Sequence, residues 1–420
     1  MRVVQFIYSL NMGGAETLVK EYALGLQKYE DVDLTVLSLE RRGTPYEDTL
    51  AQHGVRVRYI NDVRPICVSD DSEGPSESTC AEHNGGETSV VKAPHQQDIG
   101  TAGHSKERPA VYRRISNIFH KAASYLAVRK AFAELKPDVV HFHLGLSGYI
   151  LRCGLPRNTA IVYTQHFDIP RWKRKYPKDI DKIRRIRERY PTRLIALNED
   201  MKREMDEMFH TSDTLVLNNG IDTNRFRYPA KQRPQVRREL GLSADGLVIG
   251  HVGRFHEIKN HAFLLDVFRI ICDIRPDASL LLVGSGETEK SVREKAESMG
   301  LSDRMMILHD RSDVNDLLQA MDIMIFPSFA EGVPLTLIEA QCAGIPILAS
   351  TGVSAATKIS NLLEFRNLDL GPENWAERVL EMTGQKFLAK YEGMESWDIR
   401  AVVGKLHQIY MDLIPLEKGL

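Results

Sequence analysis

Short runs of apolar and β-branched residues alternate along most of the chain with longer segments in which apolar residues recur every three or four positions. The short runs predict buried β-strands, and the longer segments predict amphipathic helices. In the N-terminal half the predicted elements are a helix over 17–27 and strands over 3–8, 33–39, 138–142, 160–164 and 194–197. Strands that alternate with helices predict a parallel sheet covered on both faces, so residues 1–221 are expected to form a Rossmann-like domain.

The alternation begins again after a polar segment bracketed by prolines, 222–236, which we interpret as a linker. The predicted strands are 247–252, 279–283, 305–308, 323–326 and 345–349, and the predicted helices are 261–273, 290–299, 314–320 and 334–343. Residues 237–400 are therefore expected to form a second Rossmann-like domain, followed by a helical tail over 401–420. The fold class is thus α/β, with two Rossmann-like domains facing across a cleft and ligands at the carboxyl ends of the strands.

One segment, 62–108, breaks the pattern. It is rich in Gly, Ser, Pro and His and has few large apolar residues, so it predicts a mobile insertion that cannot offset its ordering entropy. His83, His95 and His104 lie within it at irregular spacing, which favours solvated loop residues over a metal site.

Composition excludes several classes of protein. The 420 residues carry 55 Lys and Arg against 57 Asp and Glu, for a net charge of −2, which argues against a globally basic nucleic-acid-binding protein. Five cysteines without a CxxC pair indicate neither a disulfide framework nor a zinc ribbon. No apolar run approaches the roughly 20 residues of a membrane span. We expect a cytoplasmic protein that touches a membrane, if at all, from outside.

The local charge between residues 104 and 194 differs from the global balance. This segment holds 21 Lys and Arg against 7 Asp and Glu. Aromatic residues are interleaved with the basic ones, namely Tyr112, Phe119, Tyr125, Trp172, Tyr176 and Tyr190. Two interpretations stay open at this point: a solvated helix face, or a peripheral surface for anionic lipid headgroups.

The segment PSFAEGVPLTLIEAQCAGIPILAS, residues 327–350, is the most informative stretch for chemistry. Glu331 follows a predicted strand, and Pro334 fits the first turn of the next helix. The free amides of Leu335 and Thr336 would form an anion site at that helix end. Glu339 lies inside the helix, eight residues after Glu331. A carboxylate near a phosphate is unfavourable unless it accepts hydroxyl protons, which sugars and ribose provide.

Two further turns offer contacts to phosphate. In GHVGRFHEIKN, Gly253 closes a strand, Arg254 follows at once, and Lys259 begins the next helix, so that a guanidinium and an ammonium are available for a diphosphate. At the first predicted turn, Gly14 in Gly13-Gly14 allows close approach of the backbone to a ligand. The dinucleotide pattern GxGxxG is broken at the Gly284-Ser285-Gly286 turn, which argues against a nicotinamide site.

These residues resemble the family 4 glycosyltransferases of GT-B architecture, which build bacterial capsular polysaccharides and exopolysaccharides. The matching pieces are MGGAE, NNGIDTNRF, GRFHEIKN, VGSGE and EGVPLTLIEAQCAGIP. The segment after 349, STGVSAATKIS, departs from the Gly-Gly…Glu pattern that the family often shows, so the resemblance implies no contacts for that loop.

The resemblance implies a role for each site residue. Arg254 and Lys259 match the pair that grips the donor diphosphate, next to Gly253. Leu335 and Thr336 match amides on the distal phosphate, and Gly14 matches the N-terminal loop that faces it. Glu339 matches the carboxylate on the ribose, Glu331 the one on the donor sugar, and His166 a histidine beside the transferred sugar. Glu331 and His166 are the implied catalytic residues.

The resemblance further implies a retaining, metal-independent glycosyltransferase without a cofactor. Its donor would be a nucleotide sugar, with UDP favoured over GDP, and its acceptor a saccharide that is lipid-linked at the inner face of the cell membrane. The alternatives are a non-catalytic nucleotide-sugar-binding or partner subunit, a nicotinamide oxidoreductase and a sugar-nucleotide epimerase.

Overall fold

The computed structural model describes residues 1–11, 13–62, 110–167, 169–385 and 388–414. All but the first residue of the segment 62–108, expected to be a mobile insertion, lies outside the described residues. Two parallel β-sheets with interleaved helices form the molecule, so the predicted α/β class is confirmed. Each sheet has a core on both of its faces.

The first sheet is built from β1 (Arg2–Ile7), β2 (Asp33–Arg41), β3 (Val57–Asp62), β4 (Val139–His143), β5 (Ala160–Thr164), β6 (Thr192–Ala196) and β7 (Leu215–Val216). Its strand order is β3-β2-β1-β4-β5-β6-β7, and neighbouring strands are parallel. The chain reverses its direction of winding between β1 and β4, where α/β sheets of this type bind ligands.

The second sheet repeats this plan. Its strands are β8 (Val248–Val252), β9 (Ser279–Val283), β10 (Met305–Leu308), β11 (Ile323–Phe326), β12 (Ile347–Ser350) and β13 (Leu363–Arg366), in the parallel order β10-β9-β8-β11-β12-β13. The equivalent point of reversal lies between β8 and β11. Burial on both sheet faces explains why these strands read as continuous apolar runs.

Helices cover both faces of both sheets. Those of the N-terminal half are α1 (Gly14–Leu26), α2 (Pro45–Gln52), α3 (Ala110–Leu135), α4 (Ser147–Arg152), α5 (Ile169–Lys175), α6 (Asp179–Arg189) and α7 (Glu199–Phe209). Those that follow are α8 (Thr223–Arg227), α9 (Arg233–Glu239), α10 (His261–Ile274), α11 (Glu289–Ser298), α12 (Val314–Ala320), α13 (Leu335–Cys342), α14 (Gly371–Thr383) and α15 (Ile399–Leu413). Single 3₁₀ turns form at Glu257–Lys259, Ser302–Arg304, Ala355–Thr357, Leu368–Leu370 and Met394–Trp397.

The segment 222–236, expected to be a linker, instead carries α8 and the start of α9. Phe226 and Val236 from these helices are buried in the core of the second sheet. Periodicity did not predict these helices, because each is short and has only one buried apolar residue in this segment among charged residues. That residue packs against a core formed mainly by the strands and helices of the second sheet.

The last helix, α15, returns to the first sheet. Its apolar face, which includes Val403, Leu406 and Tyr410, is buried with α1 in the core of that sheet. The chain crosses between the sheets twice, and the two crossings pair: Ile221 N–H donates to Trp397 O over 2.9 Å, and Ile399 N–H donates to Ile221 O over 2.8 Å. The tail expected to follow the second domain therefore completes the first one.

Candidate active site

Arg254 lies on the loop that leaves β8 at the point of reversal of the second sheet. Gly253 N–H donates to Val283 O over 2.9 Å, which binds this loop to the end of β9. The Arg254 side chain is exposed, and it makes no hydrogen bond or ion pair with any residue that the structure describes. Its guanidinium is thus available to an anion in the cleft.

The VGSGE turn supports the Arg254 loop. A Cβ on Gly284 would lie 2.1 Å from Gly253 O, and one on Gly286 would lie 2.2 Å from Phe255 O. Both glycines also have positive φ angles, +148° and +157°. These glycines are therefore required for two loops to pack closely, which explains the motif without a dinucleotide.

Lys259 and Glu331 form an ion pair at the same edge of the sheet. Lys259 Nζ lies 2.7 Å from Glu331 Oε1, and the two side chains are only 14% and 17% exposed. The ammonium also lies 4.4 Å from the centre of the Phe326 ring. The pair links the residue expected on the diphosphate to the residue expected on the donor sugar.

The loop after β12 holds the Glu331 backbone in place. Glu331 N–H donates to Gly352 O over 3.0 Å, and Ser354 N–H donates to Glu331 O over 3.1 Å. A Cβ on Gly352 would lie 2.2 Å from Phe329 O, so only glycine permits this approach. The segment that departs from the family pattern thus acts on the site by supporting Glu331.

Helix α13 begins beside this loop with Pro334 as its N-cap residue rather than inside its first turn, since the proline is extended at ψ 117°. No side chain caps the helix. The amides of Leu335 and Thr336 stand at its first two positions, where helical amides have no partner within the helix. This helix end can therefore receive an anion.

Glu339 lies one turn further along α13. It is partly exposed, and its carboxyl group makes no hydrogen bond or ion pair within the described part of the chain. Burial of the carboxyl raises its pKa from 4.5 to about 7, against the opposing charges of Arg225 and Lys20. Lys20 belongs to α1, so Glu339 faces the N-terminal domain across the cleft.

The first sheet contributes the Gly13-Gly14 turn at the start of α1. A Cβ on Gly13 would lie 2.5 Å from Glu16 Oε2, whereas Gly14 has open space beside it. Burial raises the pKa of Glu16, and the charges of Arg254 and Lys175 oppose this shift. Glu16 therefore lies within electrostatic range of the Arg254 loop. The sequence analysis did not single out this residue, although it is the last one of the MGGAE motif.

His166 follows β5 at the carboxyl edge of the first sheet and is partly exposed. Its Nε2 lies 2.9 Å from Nδ1 of His143, at the end of β4. Burial lowers the pKa of His166 to about 3, so its imidazole is neutral at ordinary pH.

Basic and aromatic side chains surround Phe167, next to His166. The Lys175 ammonium lies 4.8 Å and the Arg171 guanidinium 5.0 Å from the centre of the Phe167 ring, which stacks on Tyr176 at 6.0 Å. Burial and the charges of Arg171 and Arg254 lower the pKa of Lys175. This part of the basic segment therefore faces the cleft.

Two of the aromatic residues interleaved in the basic segment are too buried to contribute to the membrane surface that was one of its two interpretations. Trp172 and Tyr190 are 1% and 3% exposed and belong to the core. The sequence could not show that these side chains are buried. Aromatic and basic residues alternate in the same way in a helix that packs against a protein core and in a helix that lies on a membrane surface. The side chains of Tyr112 and Phe119 lie outside the part of the chain whose side chains the structure describes.

Acidic clusters that could hold a metal ion are absent from the described residues. The sequences Asp31-Val32-Asp33 and Asp179-Ile180-Asp181 have the Asp-x-Asp spacing of some metal sites, but their carboxylates have protein partners. Asp33 forms an ion pair with Arg56 at 3.0 Å, and Asp179 accepts a hydrogen bond from Ser147 at 2.6 Å. Nor does the described part of the chain contain a helix long and apolar enough to cross a membrane.

Two family models match the chain. The model for glycosyl transferases group 1 matches residues 232–363, and the model for Glycosyltransferase Family 4 matches residues 80–225. The chain belongs to the family 4 glycosyltransferases and is a glycosyltransferase of GT-B fold.

Among curated proteins, the Bacillus subtilis glycosyltransferase EpsF is 24% identical over 97% of this chain and 96% of its own length. The Escherichia coli UDP-Gal:alpha-D-GlcNAc-diphosphoundecaprenol alpha-1,3-galactosyltransferase is 27% identical over 73% of this chain and 83% of its own length.

Solved structures share the fold. Anabaena HepE in complex with UDP and glucose superposes with a TM-score of 0.64 at 15% identity, covering 98% of this chain and 100% of that one. The sucrose-phosphate synthase of Thermosynechococcus elongatus superposes with a TM-score of 0.66 at 15% identity, covering 98% and 99%.

Proposed function

We propose that this glycosyltransferase moves a sugar from a UDP-sugar to a lipid-linked saccharide in cell-surface polysaccharide synthesis, with retention at the anomeric carbon and without a bound metal. One observation carries the proposal: the carboxyl edge of the second sheet holds Arg254, the Lys259–Glu331 pair, the uncapped start of α13 and Glu339. Two cations, free amides and a carboxylate are the groups that recognise a nucleoside diphosphate.

The cations and the helix end act on the diphosphate. Negative charge grows on the leaving diphosphate as its bond to the sugar breaks, and fixed donors stabilise that charge without reorganising. Arg254 and Lys259 supply charge-assisted hydrogen bonds, and the amides of Leu335 and Thr336 supply the helix N-terminus. These groups take the role that a divalent cation plays in other transferases. Treatment with EDTA is expected to leave the rate unchanged.

Glu339 acts on the ribose. An ionised carboxylate without a protein partner accepts hydrogen bonds from two neighbouring hydroxyls. The preference for UDP over GDP draws support from the UDP complex of HepE and from the donor named for the Escherichia coli relative. Calorimetric titration of the full chain with UDP and GDP tests it, and equal affinity for the two would remove the preference.

The transfer step fits a front-face substitution. The bond between the anomeric carbon and the phosphate oxygen breaks, the acceptor oxygen bonds to the same face of that carbon, and the acceptor proton passes to the leaving phosphate. Glu331 and His166 line the sugar in this scheme. Glu331, held by Lys259, favours the positive charge that develops on the ring, which is a transition-state interaction.

The acceptor side is the surface around Phe167. Lys175 and Arg171 carry positive charge next to His166, which suits an acceptor with a phosphate group close to its saccharide. A diphosphate-linked lipid is such an acceptor, and the Escherichia coli relative is named for one. Exposed Lys173 and Arg174 on the same helix then suit the anionic inner face of the cell membrane.

One experiment separates this function from a binding protein without turnover. The purified chain is incubated with labelled UDP-sugars and a bacterial lipid extract, and label is followed into the organic phase. Labelled lipid that vanishes in Arg254→Ala is the expected result. If UDP binds but no sugar is released or transferred from any donor, the non-catalytic alternative is correct.

A further inference from the structure

A continuous chain of buried polar groups connects helix α15 to His166. Tyr410 OH lies 2.6 Å from Gln5 Nε2, Gln5 Oε1 lies 2.8 Å from His143 Nε2, and His143 Nδ1 lies 2.9 Å from His166 Nε2. Gln5, His143 and Tyr410 are completely buried. These groups lie between strands that are otherwise apolar, where a polar group is unfavourable unless it is paired.

The partners assign the protons along this chain. Gln5 Oε1 can only accept, so His143 carries its proton on Nε2 and its Nδ1 is an acceptor. His166 must then donate from Nε2, which leaves its own Nδ1 without a proton. Nδ1 makes no hydrogen bond to any residue in the described ranges.

A second set of contacts agrees with this orientation of the Gln5 amide, whose Nε2 also lies 3.3 Å from Nδ1 of His141. Tyr410 OH accepts from Gln5 Nε2 and donates to His141 Nδ1 over 2.7 Å. His141 Nε2 then donates to Thr164 Oγ1 over 2.7 Å. If the Gln5 amide turned over, its NH₂ group would face the proton on His143, so the amide orientation and the histidine tautomers determine one another.

We propose that Gln5 and His143 are positioning residues, which hold His166 as the neutral imidazole with its proton on Nε2 and its Nδ1 free to accept a hydrogen bond from a sugar hydroxyl in the cleft. The proposal rests on the proposed function, since it takes His166 to face the sugar. Tyr410 extends this control to α15. A site built to accept from a hydroxyl discriminates against a sugar that lacks it, because the acceptor, once covered by the bound sugar, is then unpaired.

Nuclear magnetic resonance of the full chain labelled with ¹⁵N-histidine tests the tautomer directly. The resonances of His166 and His143 are assigned by their loss in His166→Phe and His143→Phe. We expect one tautomer for His166, with the proton on Nε2, and a mixture of both in Gln5→Met. Tyr410→Phe is the second variant, in case the first does not fold, and it should also give a mixture, because the Gln5 amide can then turn over.

Ser147→Ala is the matched control. It removes a buried side-chain hydrogen bond to Asp179 that is not part of this network, so His166 should keep its single tautomer. A His166 tautomer that is unchanged in both Gln5→Met and Tyr410→Phe, or equally mixed in Ser147→Ala, would overturn the proposal. These spectra do not depend on finding the substrate, so they decide the matter even if the proposed function fails.

Kinetics provide the second measurement. Gln5→Met should lower kcat/KM for UDP release about tenfold in the wild-type background and have little further effect in a His166→Phe background. A merely structural role of Gln5 would give the same loss in both backgrounds, which would contradict the proposal.

Discussion

Lys259 Nζ lies 2.7 Å from Glu331 Oε1 in a cleft that also contains the Arg254 loop. The two residues belong to different loops of the second sheet, and the family resemblance implies contacts with different parts of the donor. Their contact means that neither side chain is positioned alone: the carboxylate holds the ammonium at the edge of the sheet where we propose that the diphosphate binds, and the ammonium holds the carboxylate next to it.

We predict that Arg254→Ala and Lys259→Ala both weaken UDP binding by about tenfold or more, because each removes a charge-assisted contact. Only Lys259→Ala should also lower the free energy of unfolding, by about 1–3 kcal/mol, since it leaves Glu331 partly buried without its partner. Calorimetry with UDP and urea denaturation measure the two effects. Lys290→Ala, which removes an ammonium from a side chain that is 88% exposed, is the control. Normal UDP affinity in both cleft variants would contradict the diphosphate assignment.

Glu331→Gln should lower kcat with little change in the donor KM. The neutral amide no longer favours positive charge on the sugar ring, and that charge is present only in the transition state. Steady-state kinetics with saturating acceptor measure this. Glu339→Gln should instead raise the donor KM, because it weakens a ground-state contact to ribose. Identical kinetic changes in the two variants would show that the carboxylates do not have separate roles.

Glu339 should also make donor binding and stability depend on pH in opposite directions. Its pKa of about 7 in the folded chain lies above the ordinary 4.5, so its contribution to stability is complete below pH 4.5 and is lost as the pH rises through 7. UDP affinity should rise over the same range, because the ionised carboxylate accepts ribose hydroxyls more strongly.

Removing this titration gives the corresponding test. Glu339→Gln should be more stable than wild type at pH 8 by about 1–2 kcal/mol, nearly equal to it at pH 4.5, and insensitive to pH in its UDP affinity. Urea denaturation and calorimetry at several pH values measure these quantities, with Glu377→Gln on the exposed face of α14 as the control. A stability difference that does not vary with pH would contradict the raised pKa.

The basic helix α5 should separate acceptor binding from membrane binding. Lys175→Gln should raise the KM for a diphosphate-linked acceptor more than it weakens UDP binding, because its ammonium lies on the Phe167 side of the cleft. Lys173→Glu with Arg174→Glu should instead reduce salt-sensitive sedimentation with anionic vesicles. If no protein sediments with vesicles even at low salt, membrane docking through this helix is wrong and a soluble acceptor is favoured.

The sequence predicted the strands closely because buried parallel strands are short apolar runs bounded by polar turns. Strands 160–164 and 279–283 agree with the structure at both ends. It missed β13 (Leu363–Arg366), where Glu364 and Arg366 alternate with apolar residues at the edge of the sheet. The α15 tail was predicted as a helix but not as part of the core of the first sheet. Periodicity predicts that a helix has an apolar face, but it does not predict which surface that face packs against.

Where a motif carries the chemistry, as at Arg254 and Glu331, the sequence indicated residues that the structure places at one edge of the second sheet. It did not indicate contacts between side chains that meet across the fold. In the sequence, Gln5 is a single polar residue within an apolar strand, and His143 is the last residue of another strand. Neither pattern indicates that the two side chains are in contact. Their contact depends on the register of parallel strands, in which Gln5 pairs with His141 across β1 and β4. Nothing in local spacing fixes that register.

The return of α15 to the first sheet has a consequence for synthesis on the ribosome. Part of the apolar face of α1 remains without its cover until Val403 and Leu406 have left the exit tunnel. The N-terminal half must therefore wait, with an apolar surface exposed, while the whole second half is translated. Chaperones that hold nascent chains should bind this surface, and a chain that stops prematurely anywhere before α15 should be a substrate for degradation rather than an independently folded domain.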